Sequence, residues 1–555
     1  MSENHNKIKY AVSFKDQFTL RGMIIGSAGA AVLTMSSMYV ALKMGALPWP
    51  IIFVALVSMF CLKLFGNANI NEINVTHTAM SAGAMTAGGL AFTIPGIYML
   101  NPEANLSMSV LFATVFGGVL LGLIFTALIY KYFIVMKELP YPMGQAAAET
   151  LIVGDEGGKK ACILFSSLGL AAVFTFLRDG MTLINLRNII PQSFMNSGLV
   201  SKGILAGIWL SPMLVAVGYI IGPVFIGVWF LGAIIGDFGI VLSGTSFGFW
   251  DAETASSIKS SLGIGLMVGT GVGIIIKGII PKAKEIFGPM FSKDAISQGI
   301  LNMRWAPIVL VIIAFILTFV CDMGIIASIV TILGVWLTTA MSSQIVGQTG
   351  INPMEVFGII ILIAAKAVTS MGQTEAFLVA AVVAIACGLA GDVMNDFKAG
   401  HILHSNPIAQ WLGECIGGLV GVFVSVGVFY VLLTAYGPTA FGNPELFNAP
   451  QAGMVAAMVG GIPHLTSFII GLILGCVLYC VNFPVMTLGL GVYLPFYLSA
   501  TAFLGGALKF IIEKAAPTWN KKGTGLIIAS GILGGEAVIG VIIALIQAIQ
   551  GMSAI

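Results

Sequence analysis

The sequence predicts an all-α polytopic membrane protein, with about sixteen transmembrane helices in two repeated halves and broken or re-entrant helices among them. Three observations carry that prediction. First, 58% of the 555 residues are hydrophobic and only 9% are charged, with a mean hydropathy of +1.01. A soluble domain carries about 25% charged residues, and a chain this poor in charge cannot cover a water-facing surface. Second, the 69 glycines suit close packing of transmembrane backbones and tolerate helix breaks. Third, Gly/Pro breaks and acidic residues recur in the same order in the two halves. A net charge of +2, with no basic cluster interleaved with aromatics, excludes nucleic acid as a partner.

Residues 1–17 read as a polar cytoplasmic tail, because Lys7, Lys9 and Lys15 precede the first span, around 18–43, and Arg21 stands at its start. Gly45, Pro48 and Pro50 break the chain before a second apolar run that continues to about Leu64. The string Gly66–Gly96 then sets Asn67, Asn69, Asn71, Glu72, Asn74 and His77 against a small-residue helix. A long run at 106–136 ends in KELPYPMGQAAAETLIV. Pro142–Val153 is too short for ~30 Å of hydrocarbon at 1.5 Å per residue, so it is expected as a half-helix. Further spans are expected at 161–183, 203–221, 223–243 and 260–280, closing a first half at 18–280. The charged interval 281–304 reads as a connector. The second half, 305–555, holds spans near 305–321, 324–346, 353–371, 376–391, 408–436, 452–463, 465–483, 484–512 and 524–549.

The halves echo one another. KMGALP at 43–48 and QTGINP at 348–353 each place a Gly–Pro break between apolar runs. Downstream, Glu72 and Glu375 each precede a small-residue helix that ends in glycine, at Gly88 and Gly391. Interrupted helices at matching places in duplicated halves point to the central site of a secondary transporter.

A charge at bilayer depth costs roughly 2.5–3.5 kcal/mol, so each polar residue inside an apolar run is a candidate. On the half-helix after ELPYP these are Tyr141, Gln145 and Glu149; helix N-termini favour a substrate carboxylate, and Glu149 suits a proton or an amine. Glu72 and Glu375 suit either capping or function; Asn352 lies in the second-half break, and Gln373 stands two residues before Glu375. The stretch 388–418 adds Asp392 and Asp396, one helical turn apart, and Glu414, about two turns past Pro407. Asp392, Asp396 and Lys398 are expected to organise a bend or pair with each other, with Lys366 nearby, while His401 and His404 read as a solvated pair. Glu536, between glycines in the last span, reads as cavity lining. No metal site is expected, and the seven cysteines read as small buried hydrophobes. The chain has no G-x-S-x-G, no H-E-x-x-H and no P-loop. It is therefore read as no enzyme, and its drive must be an ion gradient or a partner subunit.

Several strings together resemble the oligopeptide transporter (OPT) family, in its prokaryotic branch related to the yellow-stripe-like transporters. They are VALKMGALPWPI, ELPYPMGQAAAETL, VGYIIGPVFIGVWFLGAIIG, AGDVMNDFKAGHILHSNPIAQWLGECIG, NFPVMTLGLGVYLPFYLSATAFLGG and ASGILGGEAVIG. The resemblance implies duplicated halves and proton-coupled uptake of peptides, glutathione-like molecules or metal chelates. The eukaryotic peptide branch carries N-P-G and K-I-P-P-R signatures; here the matching regions read NINEINVTH and HSNPIAQ, with Ile408 where arginine is usual. The expectation is thus an inner-membrane, multi-pass symporter that imports small oligopeptides or peptide-like zwitterions by alternating access. It is expected to use H+ as driving ion and no cofactor, with the lipid bilayer and a second copy of the chain as its other partners. A metal-chelate importer and a passive channel are the alternatives.

Overall fold

A computed structural model describes residues 10–44, 51–153, 157–184, 186–200, 204–273, 276–277, 280–282, 300, 306–349, 352–517 and 523–553. The predicted breaks at Gly45–Pro50 and Gly350, most of the 281–304 connector and the side chain of Glu149 lie outside the described residues.

Twenty helices organise the described chain. The first half holds α1 (Leu20–Met44), α2 (Ile51–Leu64), α3 (Ile70–Ala91), α4 (Pro95–Leu100), α5 (Met108–Tyr130), α6 (Pro142–Val153), α7 (Gly157–Thr175), α8 (Pro212–Ile221), α9 (Pro223–Ala233) and α10 (Ala252–Gly273). The second holds α11 (Ala306–Phe315), α12 (Ile325–Thr349), α13 (Met354–Val368), α14 (Gln373–Ile402), α15 (Pro407–Tyr436), α16 (Pro450–Gly460), α17 (Leu465–Cys480), α18 (Val485–Tyr493), α19 (Phe496–Ala515) and α20 (Thr524–Ser553). Nine stretches of helix among the described residues are long and apolar enough to cross a membrane, and shorter apolar helices accompany them. The chain is a multi-pass, all-α membrane protein.

The element order repeats. Helices α1, α2, α3, α5, α6 and α7 begin at Leu20, Ile51, Ile70, Met108, Pro142 and Gly157, while α12 to α17 begin at Ile325, Met354, Gln373, Pro407, Pro450 and Leu465. Each start lies about 300 residues after its counterpart, the pattern of duplicated halves. Both short helices of the set, α6 and α16, open on proline behind a residue in the left-handed region, Tyr141 (φ +43°) and Ala449 (φ +42°). Proline suits the first helical position because its missing N–H has no intrahelical partner there. The left-handed residue before it turns the chain sharply into the helix.

The chain divides into two compact units, and each takes one long piece from either half. Unit 1 comprises residues 1–42, 51–161 and 282–434; unit 2 comprises 43–50, 162–281 and 435–555.

In unit 1 the central element is α14. Its most apolar stretch is 94% buried, against 50% for α15, and it packs on α3, α5, α6, α12 and α13. Helix α3 lies against α14 on one side, and Gly22, Gly26 and Gly29 of α1 meet its Thr76, Ala79 and Met80. Helix α15 reaches α3 at an unusually short separation, because a Cβ on Gly417 would fall on the Ala79 carbonyl oxygen. Asn69 caps α3 by accepting the Glu72 N–H (2.8 Å).

In unit 2, α10 packs on α17 through Gly265 and Gly269 facing Gly471 and Gly475, and α8 packs on α19 and α20. Ser211 caps α8, accepting the Leu214 N–H at 3.2 Å.

Three features depart from the sequence reading. The span expected at 376–391 runs unbroken to Ile402, through Asp392, Asp396 and Lys398, so these residues organise no bend. The reason is that Asp392 and Asp396 share one helix face, and α3 brings polar side chains to meet them. No proline intervenes before Pro407, where the chain turns and α15 starts. The run expected at 484–512 divides into α18 and α19 at Leu494–Pro495, since Pro495 cannot donate to the preceding turn. A short antiparallel pair, Ser193–Met195 with Gly207–Trp209, precedes α8 where a continuous span from 203 was expected.

Candidate functional site

Spacing on α14, α15 and α3 builds one buried acidic cluster in unit 1. Asp392 and Asp396 stand at i and i+4, so both face one side of α14. Glu414 lies two turns into α15, which the Gly417 contact with Ala79 holds tight against α3. His77 and Ser81, again at i and i+4, present α3's answering face. Asp396, Glu414 and His77 are fully buried, Ser81 nearly so, and Asp392 is partly buried.

The geometry is compact. Carboxylate oxygens of Asp392, Asp396 and Glu414 all lie within 4.8 Å of one another, and among the described residues no other group of His, Cys, Asp or Glu is close enough to share one cation. Ser81 Oγ donates to Asp396 Oδ2 at 2.6 Å. His77 Nδ1 stands 3.6 Å from Asp396 Oδ1. Gln410 Nε2 donates to the Asp396 carbonyl (2.7 Å) and reaches Thr78 Oγ1 at 3.4 Å, fixing α15 to both neighbours. Several buried polar atoms remain without a hydrogen bond among the described residues: Asp392 Oδ2, Asp396 Oδ1, both Glu414 carboxylate oxygens and both His77 ring nitrogens.

Three ionised carboxylates cannot coexist here. At 4.8 Å and an effective dielectric constant near 20, each pair would repel by about 3 kcal/mol, roughly 10 for the three together. No described Lys or Arg is ion-paired with any of the three: Lys398 is on α14 but forms no such pair, and Lys366 lies exposed in the last turn of α13. Three ionised carboxylates in this setting would need a compensating positive charge.

The other predicted residues are distributed around this cluster or away from it. Tyr141 is buried and structural: its N–H donates to the Gly347 carbonyl (2.9 Å) and its hydroxyl to the Ser343 carbonyl (3.0 Å), fixing the entry of α6 on α12. The next turn of α6 docks on α14, where the Gly144 N–H donates to Asn395 Oδ1 (3.2 Å), one residue from Asp396. Gln145 is exposed on α6, and the Glu149 backbone lies in the same helix. Glu72 is committed elsewhere. Arg21 donates to both its carboxylate oxygens (2.7 Å each), and Thr19 adds a third bond at 2.6 Å. Glu375 and Gln373 lie in the first turn of α14, Glu375 half-buried and Gln373 exposed. Asn352 ties α12 to the middle of α14: Ser342 donates to it (2.9 Å), and it donates to the Cys387 and Gly388 carbonyls (2.9 and 3.2 Å). His401 and His404 are both exposed.

Glu536 belongs to unit 2, where it accepts from Arg178 (3.0 Å), Ser211 Oγ (2.8 Å) and the Met213 N–H (2.8 Å) at the start of α8. It lines a small cavity with Lys43, whose ammonium lies 4.7 Å from the centre of the Trp209 ring. Its role as cavity lining is joined by an ion pair and a helix cap.

Sequence reasoning assigned Asp396 to a bend or a local pairing, named His77 without giving it a role, and passed over Ser81 and Gln410. The available signal was the repeated i, i+4 spacing of polar residues on two helices that are otherwise small and apolar.

The profile of the family described as OPT oligopeptide transporter protein matches residues 17–547. A Haemophilus influenzae protein carrying the name oligopeptide transporter is 25% identical, over 92% of each chain. A metal-nicotianamine transporter of Oryza sativa subsp. japonica, YSL9, is 30% identical over 109 residues, 19% of this chain and 16% of the rice protein. The full-length match, carried on a multi-pass helical fold with a buried acidic cluster, makes this chain a member of the OPT oligopeptide transporter family, a family of transporters and not of enzymes.

Proposed function

We propose that the protein is a proton-coupled symporter of the inner membrane that imports small peptides or peptide-like zwitterions by alternating access. The observation that carries the reading is the cluster of Asp392, Asp396 and Glu414, three carboxylates within 4.8 Å in an apolar interior. Closed off from water, the cluster retains its protons; opened to the side of higher pH, it releases them. A transport cycle that moves the cluster between those conditions couples substrate movement to the proton gradient.

The test is accumulation of radiolabelled di- to pentapeptides by proteoliposomes under an imposed pH gradient, acid outside. Uphill accumulation that collapses with a protonophore supports the reading. Flux that only equilibrates describes a passive channel and defeats it. A second reading, import of metal chelates, is favoured by the local similarity to the rice metal-nicotianamine transporter. Uptake of labelled nickel or iron, with and without chelator, in the same vesicles distinguishes the two cargoes.

A further inference from the structure

We infer that His77 is the proton-accepting partner of the carboxylate cluster, exchanging a proton with Asp396 during the transport cycle. The inference rests on the proton-coupled reading above and names a residue for it.

His77 is fully buried on α3, and neither ring nitrogen has a hydrogen bond among the described residues. An imidazole that merely fills a core has at least one N–H to satisfy, and leaving a buried donor or acceptor unmet costs about 1–3 kcal/mol. A buried polar group without a partner calls for an explanation, and a proton-handling role is one that the neighbouring carboxylate supports. The nearest charged group is Asp396, whose two oxygens are not equivalent. Oδ2 is taken by Ser81 (2.6 Å), whereas Oδ1 is otherwise without a hydrogen bond and lies 3.6 Å from His77 Nδ1. A movement of less than about 1 Å brings that pair to hydrogen-bond distance. Ser81 thus orients the carboxylate so that its spare oxygen faces the ring.

The step is a simple proton transfer. The O–H bond of protonated Asp396 breaks and an N–H bond forms on His77, leaving a carboxylate beside an imidazolium. Total charge is unchanged, and the new positive charge sits where the trio most needs one. Imidazole is also the side chain whose ordinary titration range spans neutral pH, so it can both receive the proton and give it up. The titratable group brought to His77 is Asp396 of α14, and Asp392 of α14 and Glu414 of α15 lie within 4.8 Å of the Asp396 carboxylate rather than on the ring. Arg21 of α1 also reaches α3, but at Glu72, where it is already paired. The polar neighbours Asn74, Thr78 and Gln410 do not titrate.

The experiment pairs transport with a direct view of the ring. Wild type, His77→Gln and His77→Asn are reconstituted, and peptide accumulation is measured across external pH 5–8. In parallel, 15N solid-state NMR follows the imidazoles of the wild type, with His77 assigned among the five histidines by its absence in His77→Gln. The expected result is at least a tenfold loss of gradient-driven accumulation in both variants. Their pH profile flattens, their melting temperatures stay within a few degrees of wild type, and the wild-type His77 signal titrates and shifts in Asp396→Asn. Accumulation at wild-type level in either variant overturns the assignment. So does a His77 ring that stays neutral across the pH range, or a collapse of melting temperature in both variants, which marks a packing role. If the wild type itself does not accumulate peptide under the gradient, the proton-symport reading fails first and takes this role with it.

Discussion

Glu414→Gln is expected to make the folded protein more stable while abolishing gradient-driven accumulation. The side chain is fully buried, neither carboxylate oxygen has a hydrogen bond among the described residues, and two other carboxylates lie within 4.8 Å. Two of the three pairwise repulsions involve Glu414, up to roughly 7 kcal/mol if every group were ionised at an effective dielectric constant near 20. Proton sharing already relieves most of this, and the remaining cost of a buried, unmet carboxyl group is about 1–3 kcal/mol. Glutamine matches the shape, cannot ionise, and supplies an NH2 donor to Asp396 Oδ1 or Asp392 Oδ2. A melt of purified protein in detergent at pH 8 should therefore rise by several degrees. The paired assay is peptide accumulation in proteoliposomes, expected to fall at least tenfold. A variant that melts below wild type, or one that accumulates peptide normally, refutes the reasoning.

Other perturbations separate support from coupling. Arg21→Ala leaves Glu72 buried without its bidentate partner and should destabilise by about 1–3 kcal/mol, whereas Glu72→Gln should retain accumulation because Glu72 lies outside the cluster; thermal melts and uptake check both. Gly417→Val forces α15 away from Ala79, and should cost about 1–3 kcal/mol and reduce uptake, read by melts and initial rates. Arg178→Ala strips both Asp179 and Glu536 of the cation they share and should lower stability by about 3–5 kcal/mol in the same melt.

Much of the fold was legible because lipid imposes a strong, simple rule. Long apolar runs and scarce charge fix the class, and the half-helix at Pro142–Val153 follows from its length and its prolines. The repeat could be read from KMGALP and QTGINP, but its most telling instance could not. Tyr141 and Ala449 share a left-handed conformation before proline, a backbone property that neither residue type announces. The fate of 388–418 was misread for a related reason. A run of polar residues in an apolar segment looks like a break when the partner helix is unknown. Once His77 and Ser81 of α3 are brought against it, the part of that run up to Ile402 is continuous helix with one polar face. Glu414 was legible because a carboxylate between glycines in a span has few structural uses. Asp396 was not, because its neighbour Lys398 offered a local partner that the helix points elsewhere. Glu72 and Glu536 show the converse, since Arg21 and Arg178, distant in sequence, make ion pairs of what looked like candidate coupling groups.

The central claim is that the Asp392, Asp396 and Glu414 cluster moves protons with substrate. The most direct measurement is lumenal pH in proteoliposomes loaded with a pH-sensitive dye, clamped at zero voltage, after a transported peptide is added outside. Wild type should acidify the lumen in step with peptide entry, and Asp396→Asn and Glu414→Gln should not. Peptide entry without acidification in the wild type, or unchanged acidification in both variants, would contradict the account.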